Sequence, residues 1–221
     1  MSRPLHVAWL GRIAWAPALE AQLKCVEARR SGAGPDTLLL LEHPPVITLG
    51  RRFEPAHLRE SRTALAARGI EVVEAARGGS VTYHGPGQLV GYLVLDLAAR
   101  GAADVGRFLR SIEADLIAAM RVLGVDGRAV PGRTGVFADA GGRPRKLASI
   151  GIGLRGWLSY HGFALNVRLD PRAFAPIVPC GLADIDVGSL AGELGASAPD
   201  DLEPRARAAV ADAFSARWGE A

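Results

Sequence analysis

Residues 77–88 read Arg77-Gly78-Gly79-Ser80-Val81-Thr82-Tyr83-His84-Gly85-Pro86-Gly87-Gln88, with four glycines and a histidine set between two apolar, strand-like runs. Glycine and proline at this density exclude a helix here and force the chain to fold back between extended segments. Two readings account for such a loop. A backbone that must lie close against a ligand needs glycine beside Arg, Thr, Tyr and His, and an ordinary tight connection uses the same punctuation.

The flanking pattern predicts strands over 5–10, 37–41, 46–49, 70–73 and 89–97 and helices over 15–30 and 63–68. Pro44-Pro45 forces a bend between the second and third strands. The clearest helix opens at Asp104, a suitable N-cap, and carries Val105, Phe108, Leu109, Ile112, Leu116, Met120 and Leu123 on one face. Short strands come next at 128–130 and 134–138, then a turn at 140–144 and a hairpin of 146–154 with 158–169. A less regular stretch, 171–190, precedes a final helix over 204–218 with Val210, Phe214 and Trp218 at helical spacing. Strands gathered in hairpins with helices at irregular intervals predict an α+β fold, a single domain over 1–221 with a mixed β-sheet and packed helices.

The chain has 221 residues, about half of them apolar, which is enough for a sizeable core. The first residues lack a secretory h-region and no apolar run reaches the roughly 20 residues of a membrane span, so the expectation is a cytoplasmic protein with no membrane partner. A net charge of +3 with scattered arginines argues against nucleic acid and fits acidic protein partners. Cys25 and Cys180 are read as reduced thiols.

Two motifs lead nowhere. Gly151-Ile152-Gly153-Leu154-Arg155-Gly156 matches the dinucleotide pattern, with Asp170 near the distance of a ribose-binding acid, but residues 157–167 read as a strand where that site requires a helix. The loop at 77–88 also lacks the Gly-Lys-Ser/Thr ending of a P-loop. His6, His43, His57, His84 and His161 show no paired ligand spacing, so no metal is expected. Structural roles are assigned to His43, His57 and His161, while His84, inside the loop, either orients a ligand or satisfies a neighbouring backbone.

Lysine and arginine together number 26, yet only Lys24 and Lys146 are lysines. A composition rich in Ala, Gly, Pro and Arg replaces lysine wherever arginine serves, so a retained lysine marks a place for chemistry that arginine cannot do, namely proton exchange. Lys24 also reads as a solvated helix position. Cys180, in Pro179-Cys180-Gly181, lies outside any periodic element. A buried inert thiol is the default for a lone cysteine. A thiol of pKa near ~8.5 becomes a nucleophile at neutral pH when a cation or base favours its thiolate, and Lys146 is of the type to do so.

Residues 77–92, ending Leu89-Val90-Gly91-Tyr92, closely resemble the signature of the octanoyltransferases, also called lipoate-protein ligase B. The likeness continues through 39–46, Gly132-Arg133-Thr134-Gly135-Val136-Phe137, Lys146-Leu147-Ala148-Ser149-Ile150-Gly151-Ile152, His161-Gly162-Phe163-Ala164-Leu165-Asn166-Val167 and Ile177-Val178-Pro179-Cys180-Gly181. One departure is Gly188-Ser189-Leu190, where the family usually has Thr-Ser-Leu.

The resemblance implies the fold of the biotin and lipoate protein ligases and a catalytic dyad of Cys180 and Lys146. It implies transfer of an octanoyl group from octanoyl-acyl carrier protein, through a Cys180 thioester, to the lysine amine of lipoyl domains of 2-oxoacid dehydrogenase complexes or of the glycine cleavage H protein. The donor brings its own phosphopantetheine and no other cofactor is implied. Arg77, Gly78, Gly79, Ser80, Val81, Thr82, Tyr83 and His84, with Ser149, Ile150, Gly151, Gly162, Phe163 and Ala164, are the expected wall of the acyl channel. The alternatives are an ATP-dependent lipoate or octanoate ligase of the same fold and a non-catalytic binding module.

Overall fold

A computed structural model of the chain describes residues 4–140, 143–178 and 185–219. Its centre is β2 (Thr37–Glu42), whose apolar run is buried on both faces. Leu38 and Leu40 enter one hydrophobic cluster and Leu39 and Leu41 the other, so the strand shows no polar alternation. β6 (Gln88–Val94) pairs antiparallel with β2 and is buried throughout.

Around these strands, β1 (His6–Arg12), β7 (Arg128–Val130), β8 (Arg133–Ala140), β9 (Arg143–Arg155) and β10 (Leu158–Asn166) complete a large sheet in the order β1-β2-β6-β10-β9-β8-β7. β11 (Asp186–Val187) adds to β9 in parallel. The β1–β2 pair is parallel and the remaining pairs of the path are antiparallel, so the sheet is mixed. β9 and β10 form the expected hairpin, turning at Gly156 with φ 63°.

α3 (Val105–Val122) and α5 (Leu202–Trp218) cover one face of this sheet. Phe108, Ile112, Leu116 and Met120 of α3 and Val210, Phe214 and Trp218 of α5 join the strands' Leu38, Leu93 and Leu165 in one core. Asp104 caps α3, its side chain accepting from the Arg107 N–H at 2.9 Å. The two helices are also clamped by a buried acid: Asp115 accepts from the Trp218 indole at 3.1 Å and from the Arg217 guanidinium. α1 (Trp15–Arg30) lies on the opposite face, placing Trp15 and Ala18 against Leu39, Val90, Tyr92 and Ala164.

The Pro44-Pro45 bend sends the next strand into a second sheet. β3 (Val46–Leu49) lies between β4 (Glu71–Glu74) and β5 (Val81–His84), packed on Leu65 of α2 (Arg62–Ala67) and on Phe174 and Ile177. β5 differs from expectation, since residues 81–84 are a strand inside what the glycines marked as loop. Four extended residues between glycine pairs are too short to show periodicity. β11 and α4 (Leu190–Leu194) likewise emerge from the stretch read as irregular. Among the described residues no helix is long and apolar enough to cross a membrane.

Phe214 is fully buried and stacks on Phe163 at 5.1 Å between ring centroids, joining α5 to β10. Phe214→Ala is expected to cost about 3–5 kcal/mol in urea unfolding. Val122→Ala, on a side chain 79% exposed, is expected to change stability by less than about 0.5 kcal/mol.

Candidate active site

Pairing of β8 with β9 ends at Val136↔Ala148, so the outer edge of β9 beyond that rung is open to another backbone. The glycine loop takes this place, Gly78 N–H donating to the Ile152 carbonyl at 2.7 Å. Two of the three glycines of the dinucleotide-like motif lie at this contact, the third being the Gly156 turn. A Cβ at Gly151 would lie 3.0 Å from the Gly78 carbonyl oxygen, and one at Gly153 would meet the Tyr160 ring at 2.5 Å and the Ala76 carbonyl at 2.9 Å.

The second sheet holds the loop from its other side. Gly50, Arg51 and Arg52 donate their N–H groups to the carbonyls of Ser80, Arg77 and Gly79 at 2.9–3.0 Å. Gly50 is required there, because a Cβ would sit 2.4 Å from the Gly79 oxygen. The buried Arg77 guanidinium donates to the Thr48 carbonyl at 2.7 Å, to Thr48 Oγ1 at 2.7 and 3.2 Å, and to the Gly78 carbonyl at 3.0 Å. His57 Nδ1 meets Ser80 Oγ at 2.9 Å.

Between loop, β9 and β10 lies a cavity that is partly open to solvent. Of the residues expected in the channel wall, Arg77, Gly79, Ser80, Val81, Thr82, His84, Ser149, Ile150, Gly151, Gly162, Phe163 and Ala164 line it. Gly78 is not in the lining; it makes the bond to β9. Tyr83 is turned away. Thr82 and His84 face the cavity, so strand alternation sends the Tyr83 ring into the second sheet's core, 5.8 Å from Phe174.

Trp15, Tyr92 and His161 also line the cavity and were not anticipated there. Trp15 stacks on His161 at 5.7 Å and on His84 at 6.4 Å, with His43 at 5.6 Å. His43 Nδ1 lies 2.7 Å from the Ile13 carbonyl, which can only accept, so Nδ1 carries the proton and Nε2 accepts from the Tyr92 hydroxyl at 2.7 Å. His161, expected to be structural, adopts a left-handed φ of 57°, and neither of its buried ring nitrogens has a hydrogen-bond partner among the described residues.

Burial makes all three imidazoles hard to charge. His43 is pushed below its ordinary value by desolvation, His84 well below it by desolvation and the neighbouring His43 and Arg77 charges, and His161 down to about 3 by burial and then Arg77. Each ring is neutral at neutral pH, so the cavity presents mostly apolar surface apart from Arg77.

Lys146 sits on β9, three residues before Ser149, and is 5% exposed. Its ammonium lies 5.5 Å from the centre of the Phe137 ring. Gly135, with φ 127°, packs against β9: a Cβ there would be 2.5 Å from the Ala148 carbonyl oxygen, 2.7 Å from Lys146 Cε and 3.3 Å from Nζ. The buried Glu113 of α3 fixes that glycine by accepting its N–H at 2.9 Å. Val187 of β11 pairs with Lys146, and Gly188 donates to the Lys146 carbonyl at 3.0 Å.

Cys180 lies outside the described residues. Its described flanks are Val178, whose N–H donates to the His57 carbonyl at 2.9 Å, and Asp186–Val187 beside Lys146. The Gly188 departure has a local counterpart: a Cβ there would meet Leu147 Cδ2 at 3.0 Å, Glu193 Oε1 at 3.2 Å and Arg145 Cβ at 3.3 Å. Those side chains leave little room for a threonine.

The neutral histidines make stability pH-dependent. Below pH 6.5, the ordinary histidine value, the unfolded chain takes up protons that the folded chain refuses, so stability falls as pH drops and, for His161, keeps falling to about 3. His161 contributes up to about 1.4 kcal/mol per pH unit in that window. Urea titrations at a series of pH values are expected to show this slope and to show it reduced in His161→Asn, a residue that tolerates the left-handed backbone.

The profile of the lipoyl protein ligase A/B catalytic domain matches residues 15–214. The octanoyltransferase of Acidobacterium capsulatum is 48% identical over 194 residues, covering 84% of this chain and 79% of that protein. That of Chloroflexus aurantiacus is 45% identical over 219 residues, covering 99% and 94%. Among solved structures, a Thermoplasma acidophilum lipoate protein ligase with bound lipoic acid superimposes with TM-score 0.69 at 17% identity, covering 98% of this chain and 86% of that one. The Aquifex aeolicus biotin protein ligase in complex with biotin and ATP does so with TM-score 0.54 at 11% identity, covering 96% and 72%. These structures share the fold expected from the resemblance. Near-full-length identity of this level, with the glycine loop, Lys146 strand and cavity assembled in one place, puts the chain in the octanoyltransferase family of acyltransferases.

Proposed function

We propose that the chain transfers an octanoyl group from octanoyl-acyl carrier protein to the ε-amine of a lysine on a lipoyl domain or on the glycine cleavage H protein, through a thioester on Cys180. The observation that carries the substrate class is the shape of the cavity. Its wall includes Ser149, Ile150 and Gly151 of β9 and runs along β10 from His161 to Ala164. Three residues of strand span about 10 Å. An extended eight-carbon chain with ~1.5 Å bonds spans about 9 Å.

In the first step the Cys180 thiolate attacks the thioester carbonyl of the donor, a Cys180 S–C bond forms and the phosphopantetheine thiolate leaves to be protonated. In the second, the acceptor's neutral amine attacks the acyl-enzyme, an amide forms and the Cys180 thiolate departs. Lys146 receives the thiol proton or holds the thiolate in the first step and receives the amine proton in the second. Backbone N–H groups of the loop and of β9 are suited to hold the oxyanion. One thioester replaces another and the amide product lies downhill, so the reaction needs no nucleotide and no further cofactor.

Incubation with octanoyl-acyl carrier protein without ATP is expected to add one octanoyl mass to Cys180, labile to hydroxylamine, in intact-protein mass spectrometry. Wild-type transfer by Cys180→Ser would remove the nucleophile assignment, and strict dependence on ATP would favour a ligase that activates free lipoate or octanoate as an adenylate. Lys146→Arg is expected to lose most activity, since a guanidinium keeps its proton. Gly135→Ala pushes a methyl group against the Ala148 carbonyl and the lysine, displacing Lys146 with its strand, and is expected to lower kcat on the order of 100-fold in steady-state transfer assays of the folded variant.

A further inference from the structure

A chain of buried polar groups runs from the cavity wall to the Lys146 strand. Arg77 Nη2 donates to Thr48 Oγ1 at 2.7 Å, and Thr48 Oγ1 lies 3.4 Å from His84 Nε2. His84 Nδ1 lies 2.8 Å from Gln88 Oε1, Gln88 Nε2 donates to Asn166 Oδ1 at 2.9 Å, and Asn166 Nδ2 donates to the Gly188 carbonyl at 2.8 Å. Gly188 in turn donates to the Lys146 carbonyl at 3.0 Å. Thr48, His84, Gln88, Asn166 and Lys146 are all buried.

The chemistry of the ends leaves one direction for every bond. A carbonyl only accepts, so Asn166 must turn its NH₂ to Gly188 and its oxygen to Gln88. Gln88 must then point its own NH₂ at Asn166 and at the Tyr83 carbonyl, 3.2 Å away, which leaves Oε1 for the histidine. His84 therefore carries its proton on Nδ1. Its Nε2 is a bare acceptor toward the Thr48 hydroxyl, whose oxygen already accepts from Arg77. Aligned donors of this kind polarise one another in a low-dielectric interior.

We propose that Gln88 and Asn166, neither expected from the sequence to touch substrate, are positioning residues for the transfer reaction. Gln88 fixes the tautomer that His84 presents in the cavity wall. Asn166 fixes the Gly188 carbonyl, and with it the backbone that pairs with Lys146. The pair makes the acyl-binding wall and the lysine strand one rigid unit. The kinetic consequence rests on Lys146 and the cavity acting as proposed above; the tautomer does not.

Two measurements on the full-length chain test this. Nitrogen-15 NMR of the imidazoles at neutral pH is expected to show His84 protonated on Nδ1, with that preference lost in Gln88→Met. In octanoyl transfer, Gln88→Met and Asn166→Leu are each expected to lower kcat about 10-fold with KM within about 2-fold, and the double variant to be no slower than the worse single. An Nε2–H tautomer in the wild type overturns the proposal, whether or not the variants fold. So do losses that multiply in the double variant, or a rise in KM at constant kcat. If the wild type transfers no octanoyl group without ATP, the functional reading fails and the tautomer measurement still decides whether the chain runs in this direction.

Discussion

The bond between the Gly78 N–H and the Ile152 carbonyl ties the glycine loop, and with it the second sheet, to the free edge of β9. β9 outruns β8 and leaves an unsatisfied strand edge, which is costly to bury without a partner. The glycine loop supplies that partner, and because β3 and the residues after it hold the loop's opposite side, the second sheet is positioned as a consequence. The cavity is the space left between the two attachments. Glycine at 50 and 151 results from backbone lying on backbone, and glycine at 79 from a left-handed φ of 84°, so the glycines around this contact are first of all a packing device.

Arg77 ties electrostatics to this architecture. Its guanidinium secures the loop through Thr48 and Gly78, and its charge opposes protonation of His84 and His161. Burial is the larger reason that those histidines stay neutral and the Arg77 charge adds to it, and neutral rings suit a cavity proposed to accept an aliphatic chain. A charged imidazole there would draw water into the slot. The stacking of Trp15 on two of the rings closes the same wall with apolar surface.

Much of this was legible in the residues alone because the signals were local. The amphipathic stripe and Asp104 cap of α3, the β9–β10 hairpin and the failure of the dinucleotide pattern could each be read from a window of neighbours. What escaped depends on pairs distant in sequence. Trp15 reads as the first residue of a helix, and only the packing of α1 on β6 and β10 brings it to the cavity. Tyr83 sits within the glycine signature, yet strand alternation turns its ring to the opposite core. Gln88 and Asn166 are ordinary polar residues in apolar strands until β6 and β10 pair, which sets them on the same rung.

The retained lysines show how structure corrects an inference from composition. Scarcity singles out Lys24 and Lys146 equally, yet Lys24 is exposed and paired with Glu20 one helical turn away at 2.7 Å, a role that arginine fills as well. Retention is therefore no evidence of chemistry by itself. Lys146 is distinguished by what surrounds it: Gly135 pressed beneath its terminal carbon, Phe137 at its ammonium, and Glu113 holding Gly135 in a backbone conformation only glycine adopts readily. Without a Cβ at position 135 the lysine's terminal carbon has space against β8, and Glu113 keeps that glycine in place, so the seat of Lys146 is built by residues distant from it in sequence.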